Sequence, residues 1–530
     1  VRPQRVDPGP DDRLYPPPRP RPGDLIAGLS VTLILIPQSL AYAELAGLPS
    51  YYGLFAAALP PIFAALAASS PYLQTGPVAM TALLSFGALS TLAEPGSPEY
   101  LGMAALLAMV VGLTRLLIGL GGAGVISYFM SQPVLIGFTS GAAILVVSSQ
   151  IPTALGAATP EGKILYRAGW SLFHPGSWDI PSLVLALGVI VAVVVARRVH
   201  PLIPGVLIAV IAGLIVGNVM DFSGPQIGEV PTGFPPIGLG LPWSRLPDLF
   251  LPGVVIALVG FAEASAISRT FAVQDRSGWD ADREFIGQGL ANIASAISGS
   301  FPVGGSFSRS SINRSSGAKT RWSGAVTGVG VLIFLPFAGV LEPLPRSVLA
   351  GIVIAAVASL IRPDQIYRVF KYSPAQGAVS AATFALVLLL APRIDQAVLL
   401  GVGMSTAVHL VRELGVRVES RFIDGTLRLS PGGVLFFGSQ QILTEQFLFH
   451  LNGNPDAKVL EIDLDGVGRI DYTSAVVLKS LADDARIAGL SVRLMNVPRS
   501  ARRIMNSVWL DEPPGMAGVR PLLRRRRRDD

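Results

Sequence analysis

The side chains best suited to handle charge stand inside apolar sequence. Glu263 lies within Val259-Gly-Phe-Ala-Glu-Ala-Ser-Ala266 and Arg309 within Pro302-Val-Gly-Gly-Ser-Phe-Ser-Arg-Ser-Ser311. A charged group at mid-membrane depth costs at least about 2.5 kcal/mol and is functional by default. An acid in that setting can exchange a proton, so Glu263 is expected to couple proton movement to the uptake of an anion. The competing reading is a static ion pair with Arg309. Sodium would want more oxygen ligands than one carboxylate, and Ile267, one turn on, offers none. Ser265, Ser268 and Ser306 keep sodium open. Arg309 has three readings: it attracts the anion, anchors its span, or neutralises Glu263. Arg115 falls near a span end and is expected to snorkel to water. Glu44 and His409 also stand near span ends and need no special role.

Two interrupted apolar segments supply the second kind of chemistry. Leu73-Gln-Thr-Gly-Pro-Val-Ala-Met-Thr-Ala82 and the Pro302–Ser311 stretch each read as a few extended residues followed by a helix that begins inside the bilayer. A helix start carries unpaired N–H groups and a partial positive charge, so two that face each other attract an anion. In a membrane protein a matched pair of broken segments is the best sequence pointer to a substrate site. Gly76, Gly304 and Gly305 let backbone approach a ligand, and Ser306 and Ser308 add hydroxyl donors. The alternative is that these small residues only let helices pack closely. That alternative suits one such segment better than a pair at matching positions.

Composition sets the class that must position these groups. Hydrophobic residues make up 51% of the 530 and charged residues 14%, with a mean hydropathy of +0.55. Soluble domains carry roughly 25% charge, so this is a polytopic membrane protein. The absence of cysteine excludes disulfides and thiolate metal sites. His174, His200, His409 and His450 lack metal-ligand spacing, and no cofactor is expected. Gly317-Ala-Lys-Thr320 resembles the end of a phosphate-binding loop, but Ile312 stands where the loop needs glycine and none immediately precedes Lys319. The arginine run 524–528 reads as a solvated tail, with contact to anionic lipid headgroups as the alternative. Nucleic-acid binding lacks aromatic or fold support.

The apolar stretches give about fourteen spans, several shorter than the roughly 20 residues a straight membrane helix needs. Their centres fall near Leu33, Ala58, Leu84, Val110, Leu145, Val191, Ala209, Leu258, Ile293, Ser308, Val331, Val353, Leu386 and Gly403. Residues 1–22 are rich in proline and arginine and read as a disordered tail, and no signal peptide is expected. Alternate loops differ sharply in basic residues. One set holds Arg13, Arg19, Arg21, Arg197, Arg198, Arg269, Arg276, Arg283, Arg314, Lys319, Arg321, Arg362, Arg368, Lys371, Arg412 and Arg417; the other holds Lys163, Arg167, Arg245, Arg346 and Arg393. The basic set belongs in the cytoplasm, which puts both termini there. The two broken segments then occupy the third position of each seven-span half, and the halves insert in opposite orientations as an inverted repeat.

The transport region is expected over 23–413. From 414 to 523 the composition is that of a soluble α/β domain, followed by a charged tail at 524–530. Strands are expected at Gly433-Val-Leu-Phe-Phe437, Val459-Leu-Glu-Ile-Asp-Leu464 and Ser491–Val497, separated by helices over Gln440–Leu451, Ser474–Ala488 and Arg499–Val508. Strands alternating with helices imply a largely parallel sheet.

At these residues the chain resembles a known family. Ile36-Pro-Gln-Ser-Leu-Ala-Tyr-Ala-Glu-Leu-Ala-Gly-Leu-Pro49, leading into Tyr52-Gly-Leu-Phe55, is similar to the opening signature of the SulP, or sulfate permease, anion transporters. Gly76-Pro77, Ser306-Phe-Ser-Arg-Ser310 and Gly317-Ala-Lys-Thr320 resemble further stations of that pattern. The stretch Asp463-Leu-Asp-Gly-Val-Gly-Arg-Ile-Asp471-Tyr-Thr-Ser-Ala475 is similar to the STAS domain that follows the membrane part in this family. The resemblance implies seven-plus-seven inverted repeats divided into core and gate units, with the anion held between the third and tenth spans. It implies a substrate site of Gln38, Tyr42, Thr75, Gly76, Pro77, Val78, Ser306, Phe307, Ser308 and Arg309. It also implies a homodimer, and its bacterial members include proton-coupled dicarboxylate carriers. In related soluble STAS proteins a hydroxyl in this motif accepts phosphate, which makes Thr473 a regulatory candidate. Tyr472 and Ser474 depart from that pattern, and helix capping by Asp471 or Thr473 is the ordinary reading.

Together these readings describe no enzyme. They describe a secondary active transporter in a bacterial inner membrane, surrounded by lipid, that carries a dicarboxylate, sulfate or bicarbonate with protons by alternating access. A passive anion channel, a sodium-coupled symporter, a nucleobase carrier and a membrane sensor are the rivals.

Overall fold

The computed structural model describes residues 19–128, 131–199, 203–219, 222, 224–413 and 415–509. The tail expected over 1–22 lies outside these residues up to position 18, and the arginine run at 524–528 lies outside them entirely. The chain divides at Ser405 into two compact units.

The larger unit is helical. In chain order it contains α1 (Pro22–Leu45), α2 (Tyr52–Ala67), β1 (Gln74–Gly76), α3 (Ala79–Leu89), α4 (Pro98–Leu120), α5 (Gln132–Ala154), α6 (Ile164–Phe173), α7 (Ile180–Val199) and α8 (Gly205–Val219). It continues through α9 (Leu246–Asp275), α10 (Ala281–Ile297), β2 (Gly304–Ser306), α11 (Phe307–Ser315), α12 (Trp322–Phe334), α13 (Arg346–Val357), α14 (Pro363–Tyr372), α15 (Pro374–Leu389) and α16 (Ile394–Glu413), which runs past the division at Ser405. Among the described residues, seven helical segments are long and apolar enough to cross a membrane, and shorter apolar helices accompany them. Every span centre expected from the sequence falls inside a helix. The additional helices are α6 and α14. In α14, Tyr367, Phe370 and Tyr372 are exposed alongside Arg362, Arg368 and Lys371.

Local sequence explains several helix starts. The Ser97 hydroxyl accepts from the Tyr100 N–H to cap α4, and the Asp280 carboxylate accepts from the N–H groups of Asp282 and Arg283 to cap α10. Asp24, fully buried in the first turn of α1, accepts from the Lys319 N–H at 2.7 Å, the Thr320 N–H at 2.8 Å and the Thr320 hydroxyl at 2.6 Å. The Gly317-Ala-Lys-Thr320 segment therefore ties the start of α12 to α1. The N–H groups of Lys319 and Thr320 are thus occupied by a carboxylate of this chain.

The helices of this unit sort into two bundles. Helices α1–α4 pack with α9–α12, chiefly through α10 on α4 and α2 and through α12 on α2 and α1. Helices α5–α8 pack with α13–α15, chiefly through α15 on α5 and α13 on α7 and α5.

The smaller unit holds a five-stranded sheet. Its strands are β3 (Arg417–Ile423), β4 (Thr426–Leu435), β5 (Val459–Asp463), β6 (Val467–Ile470) and β7 (Ser491–Met495), and its helices are α17 (Gln440–Asn452), α18 (Tyr472–Ile487) and α19 (Arg502–Trp509). The order is β3-β4-β5-β7 with β6 also on β4; β3 is antiparallel to β4 and the other pairs are parallel. Leu478, Leu481, Ala482 and Ala485 of α18 are buried, joining Leu429, Leu460 and Ile462 in one core. Asp471 caps α18 through the Ser474 N–H at 2.8 Å. Thr473 is exposed and plays no part in the cap.

Candidate functional site

The two broken segments meet. Strands β1 and β2 form an antiparallel pair in the register Gln74 with Ser306, Thr75 with Gly305 and Gly76 with Gly304. Helix α3 leaves one end of this ladder and α11 leaves the other. At about 3.3 Å per strand residue the paired segment is about 7 Å long; α11 follows Ser306 directly, whereas Pro77 and Val78 lead from Gly76 into α3. Both positive ends point toward the same small region. The ladder needs glycine at 305, where a Cβ would stand 2.8 Å from Leu73 Cδ1 and 3.1 Å from Ala264 Cβ. That close approach holds β2 against α9, the helix that carries Glu263.

Hydrogen bonds from buried side chains fix the pair from behind. The Gln288 amide donates to Thr75 Oγ1 at 2.7 Å. Asn292 grips Val303 twice, accepting from its N–H at 2.9 Å and donating to its carbonyl at 3.1 Å. The Gln74 N–H donates to Ser310 Oγ at 2.9 Å, and the Ser310 hydroxyl donates to the Ser306 carbonyl at 2.6 Å. Gln288, Asn292 and Ser295 form a buried stripe on α10. This stripe was legible as polar residues at helical spacing inside an apolar span, yet the site expected from sequence omits it.

Arg309 is fully enclosed on α11 and reaches across to β1 and α1. Its guanidinium donates to the Pro77 carbonyl at 2.9 Å and to Gln38 Oε1 at 3.4 Å. Its Nε has no hydrogen-bond partner. Tyr42 stands one turn beyond Gln38 on α1, and both Tyr42 and Glu263 interact electrostatically with the Arg309 guanidinium. Among the described residues no carboxylate lies within 4.0 Å of Arg309, so the static Glu263–Arg309 ion pair is absent. Its direct hydrogen-bond partners are a carbonyl and a neutral amide.

The structure thus brings Gln38, Tyr42, Thr75, Gly76, Pro77, Val78, Ser306 and Arg309 together. Ser306 caps α11, accepting weakly from the Arg309 N–H at 3.5 Å. Ser308 is partly exposed in the first turn of α11. Phe307 is 54% exposed and stacks on Phe271, with ring centroids 6.1 Å apart. Glu263 is partly exposed, and among the described residues its carboxylate accepts no hydrogen bond, while the Arg309 charge acts on it through space. The hydroxyls of Ser265 and Ser268, close by on α9, are buried without a partner.

Arg115 departs from the expected snorkel. It is fully buried, donating through Nε to the Ala257 carbonyl at 3.0 Å, through one terminal nitrogen to the Val303 carbonyl at 3.0 Å and through the other to the Ile256 carbonyl at 3.3 Å. Space for it comes from Gly260, where a Cβ would stand 2.6 Å from the guanidinium. Packing of α4 against α9 and α10 turns this side chain inward. A second buried cation therefore lies directly behind β2.

The comparisons with known proteins agree with this geometry. A model of the sulfate permease family matches residues 22–383, and a STAS domain model matches 417–515. The chain is 32% identical over 399 residues to Sulfate transporter 4.1, chloroplastic, of Arabidopsis thaliana, covering 72% of this chain and 57% of that protein. It is 32% identical over 376 residues to Probable sulfate transporter Rv1739c of Mycobacterium tuberculosis, covering 69% and 66%. It thus spans less than two thirds of either relative. Probable sulfate transporter 4.2 of Arabidopsis thaliana is 32% identical over 517 residues, covering 89% of this chain and 76% of the relative. Among solved structures, the murine Slc26a9 anion transporter in the inward-facing state shares the fold, with a TM-score of 0.84, 20% identity, and coverage of 94% and 88%. The transmembrane domain of the cyanobacterium bicarbonate transporter BicA aligns with a TM-score of 0.63 and 25% identity, covering 70% of this chain and 96% of that one. With its helical membrane unit and its α/β STAS domain, the chain belongs to the sulfate permease family, a family of permeases rather than enzymes.

Proposed function

We propose that this protein is a secondary active transporter of a small anion of the sulfate, bicarbonate or dicarboxylate class, driven by proton symport through alternating access. The observation that carries the reading is the β1–β2 ladder, which aims two helix starts and the Arg309 guanidinium at one region without a carboxylate on Arg309. Relatives named as sulfate transporters and a structural neighbour named as a bicarbonate transporter support the substrate class. In the cycle, Glu263 takes a proton, the anion settles between the starts of α3 and α11, and the α1–α4 and α9–α12 bundle moves against the other bundle. Release of anion and proton on the far side resets it. Protons are favoured over sodium, although the hydroxyls of Ser265 and Ser268 could serve a cation. A bacterial inner-membrane location, cytoplasmic termini and STAS domain, and a homodimer complete the proposal.

Uptake of labelled sulfate, bicarbonate, fumarate and succinate into proteoliposomes, with and without a pH gradient, tests it. Accumulation of one of them should accelerate when the outside is acid, and Glu263→Gln should remove that acceleration. Uptake indifferent to the gradient removes proton coupling. Current down an anion gradient without accumulation makes the protein a channel.

A further inference from the structure

A polar cavity lies along α3, beyond the central site. It has a volume of about 320 Å³ and opens among the ends of α1 and α5, the start of α6, the start of α13 and the Leu83 and Phe86 side chains of α3. Leu83 is five residues beyond Val78, so at 1.5 Å per helical residue the cavity floor stands about 7 to 8 Å along α3 from the central site. Three charged groups face it: Glu44 from α1, Arg167 from α6 and Arg346 from α13, with no ionisable group contributed by α3 or α5. The balance is one positive charge. Serine, threonine and glutamine side chains of α5, among them Gln150, line the same wall.

The arginines are held in place. Arg167 Nε donates to Thr159 Oγ1 at 2.9 Å. The Arg346 backbone N–H donates to the Pro225 carbonyl at 2.9 Å, beside the bridge between Gln226 and Pro345. That backbone anchor, part of the turn that opens α13, fixes where the Arg346 side chain starts. The side chain itself is 48% exposed and forms only a loose pair, with Nε 3.6 Å from Glu44 Oε1. Among the described residues this is the ion pair that joins α1 of one bundle to α13 of the other.

We infer that this cavity is a second anion site, an entry chamber in which an incoming oxyanion or carboxylate displaces Glu44 from Arg346 and is shared with Arg167 before it passes Leu83 to the central site. The inference rests on the transport reading above. A cleft whose charge balance is positive concentrates anions and speeds their arrival, and displacement of Glu44 from Arg346 strengthens that field. Glu44 occupies the same guanidinium the anion needs, so it acts as a built-in competitor. Displacing it also loosens the cross-bundle link, so arrival of the anion favours movement of one bundle against the other. A purely structural ion pair would behave differently, since removing either partner would then do the same kind of damage.

The test is the opposite sign of two substitutions, measured on the full chain as initial uptake of whichever labelled anion of the panel is carried. Arg346→Gln should raise KM about three- to ten-fold, and Arg167→Gln should raise it less, each with maximal rate within about two-fold of the parent. Glu44→Gln should lower KM. An unchanged KM in Arg346→Gln, or KM shifts of the same sign in Glu44→Gln and Arg346→Gln, overturns the inference while leaving the central site standing. If the parent protein carries none of the anions, the transport reading fails instead. Equilibrium binding of sulfate to the solubilised full chain then decides the chamber by the same criterion: weaker in Arg346→Gln and tighter in Glu44→Gln supports it, and any other pattern overturns it.

Discussion

The two bundles of the membrane unit bury different chemistry. Among the described residues, the α1–α4 and α9–α12 bundle with its β1–β2 ladder encloses Asp24, Gln38, Gln74, Arg115, Glu284, Gln288, Asn292, Arg309 and Asn313, whereas the α5–α8 and α13–α15 bundle encloses Gln150 as its one buried charged or amide side chain. Buried polar groups demand partners, and in the first bundle they tie α1 to α12, α10 to both broken strands and α4 to α9. The second bundle relies more on apolar side chains, with Ser140 of α5 also bonding the Leu360 carbonyl and the Arg362 N–H. A site built from two interrupted helices needs the first kind of construction, because its strands have no long ladder of their own. In the proposed alternating-access cycle, the apolar bundle is the surface along which the site would move.

The comparison can be broken at several points, beginning with the largest effect. Arg309→Gln removes the charge at the focus of both helix starts and should lower saturable uptake about 10- to 100-fold, as loss of a charged hydrogen-bonding group does; uptake within two-fold of the parent would remove Arg309 from the site. Asn292→Leu strands the buried Val303 N–H and should destabilise the solubilised protein by about 1 to 3 kcal/mol, read as a lowered Tm. Arg115→Met sharpens the distinction between structure and charge. The Val303 carbonyl keeps Asn292 as a donor, and the Ile256 and Ala257 carbonyls lie within α9. Its Tm should therefore move little while KM for the anion rises several-fold, and Arg115→Lys should restore part of the affinity. A collapse of Tm with unchanged KM would make Arg115 a structural tie. Smallest is Gln150→Leu in the apolar bundle, where one hydrogen bond to Ser149 Oγ is lost and the cost is expected to stay at or below about 1 kcal/mol, read as Tm.

Much of this architecture was legible in the sequence, for physical reasons that also explain the misses. Hydropathy places helices because every backbone polar group must be satisfied inside a bilayer, and each expected centre lies in a helix. Glycine and hydroxyl residues at Gly76 and Gly304–Ser306 revealed the breaks, since an uninterrupted helix has little use for them there. Their register with each other belongs to tertiary structure. Arg115 was misread because distance from a span end says nothing of which neighbour covers that face; Gly260, a small residue opposite, was the available hint. The amphipathic α14 escaped a search for apolar runs. Arg309 carried three open readings because its partners, Pro77 and Gln38, come from distant parts of the chain. In the smaller unit the strands and helices were visible from their alternation, and the cap at Asp471 followed ordinary preferences.

The central claim is that an anion rests between the starts of α3 and α11, and the cysteine-free sequence allows a direct measurement of it. Ser308→Cys places a single thiol in the first turn of α11, and Ser359→Cys places one at an exposed position in the other bundle. The rate of modification by a small thiol reagent is measured with and without the transported anion at saturation. The account predicts that the anion slows labelling at position 308 several-fold and leaves position 359 unchanged. Equal labelling of position 308 in the presence and absence of the anion would contradict it.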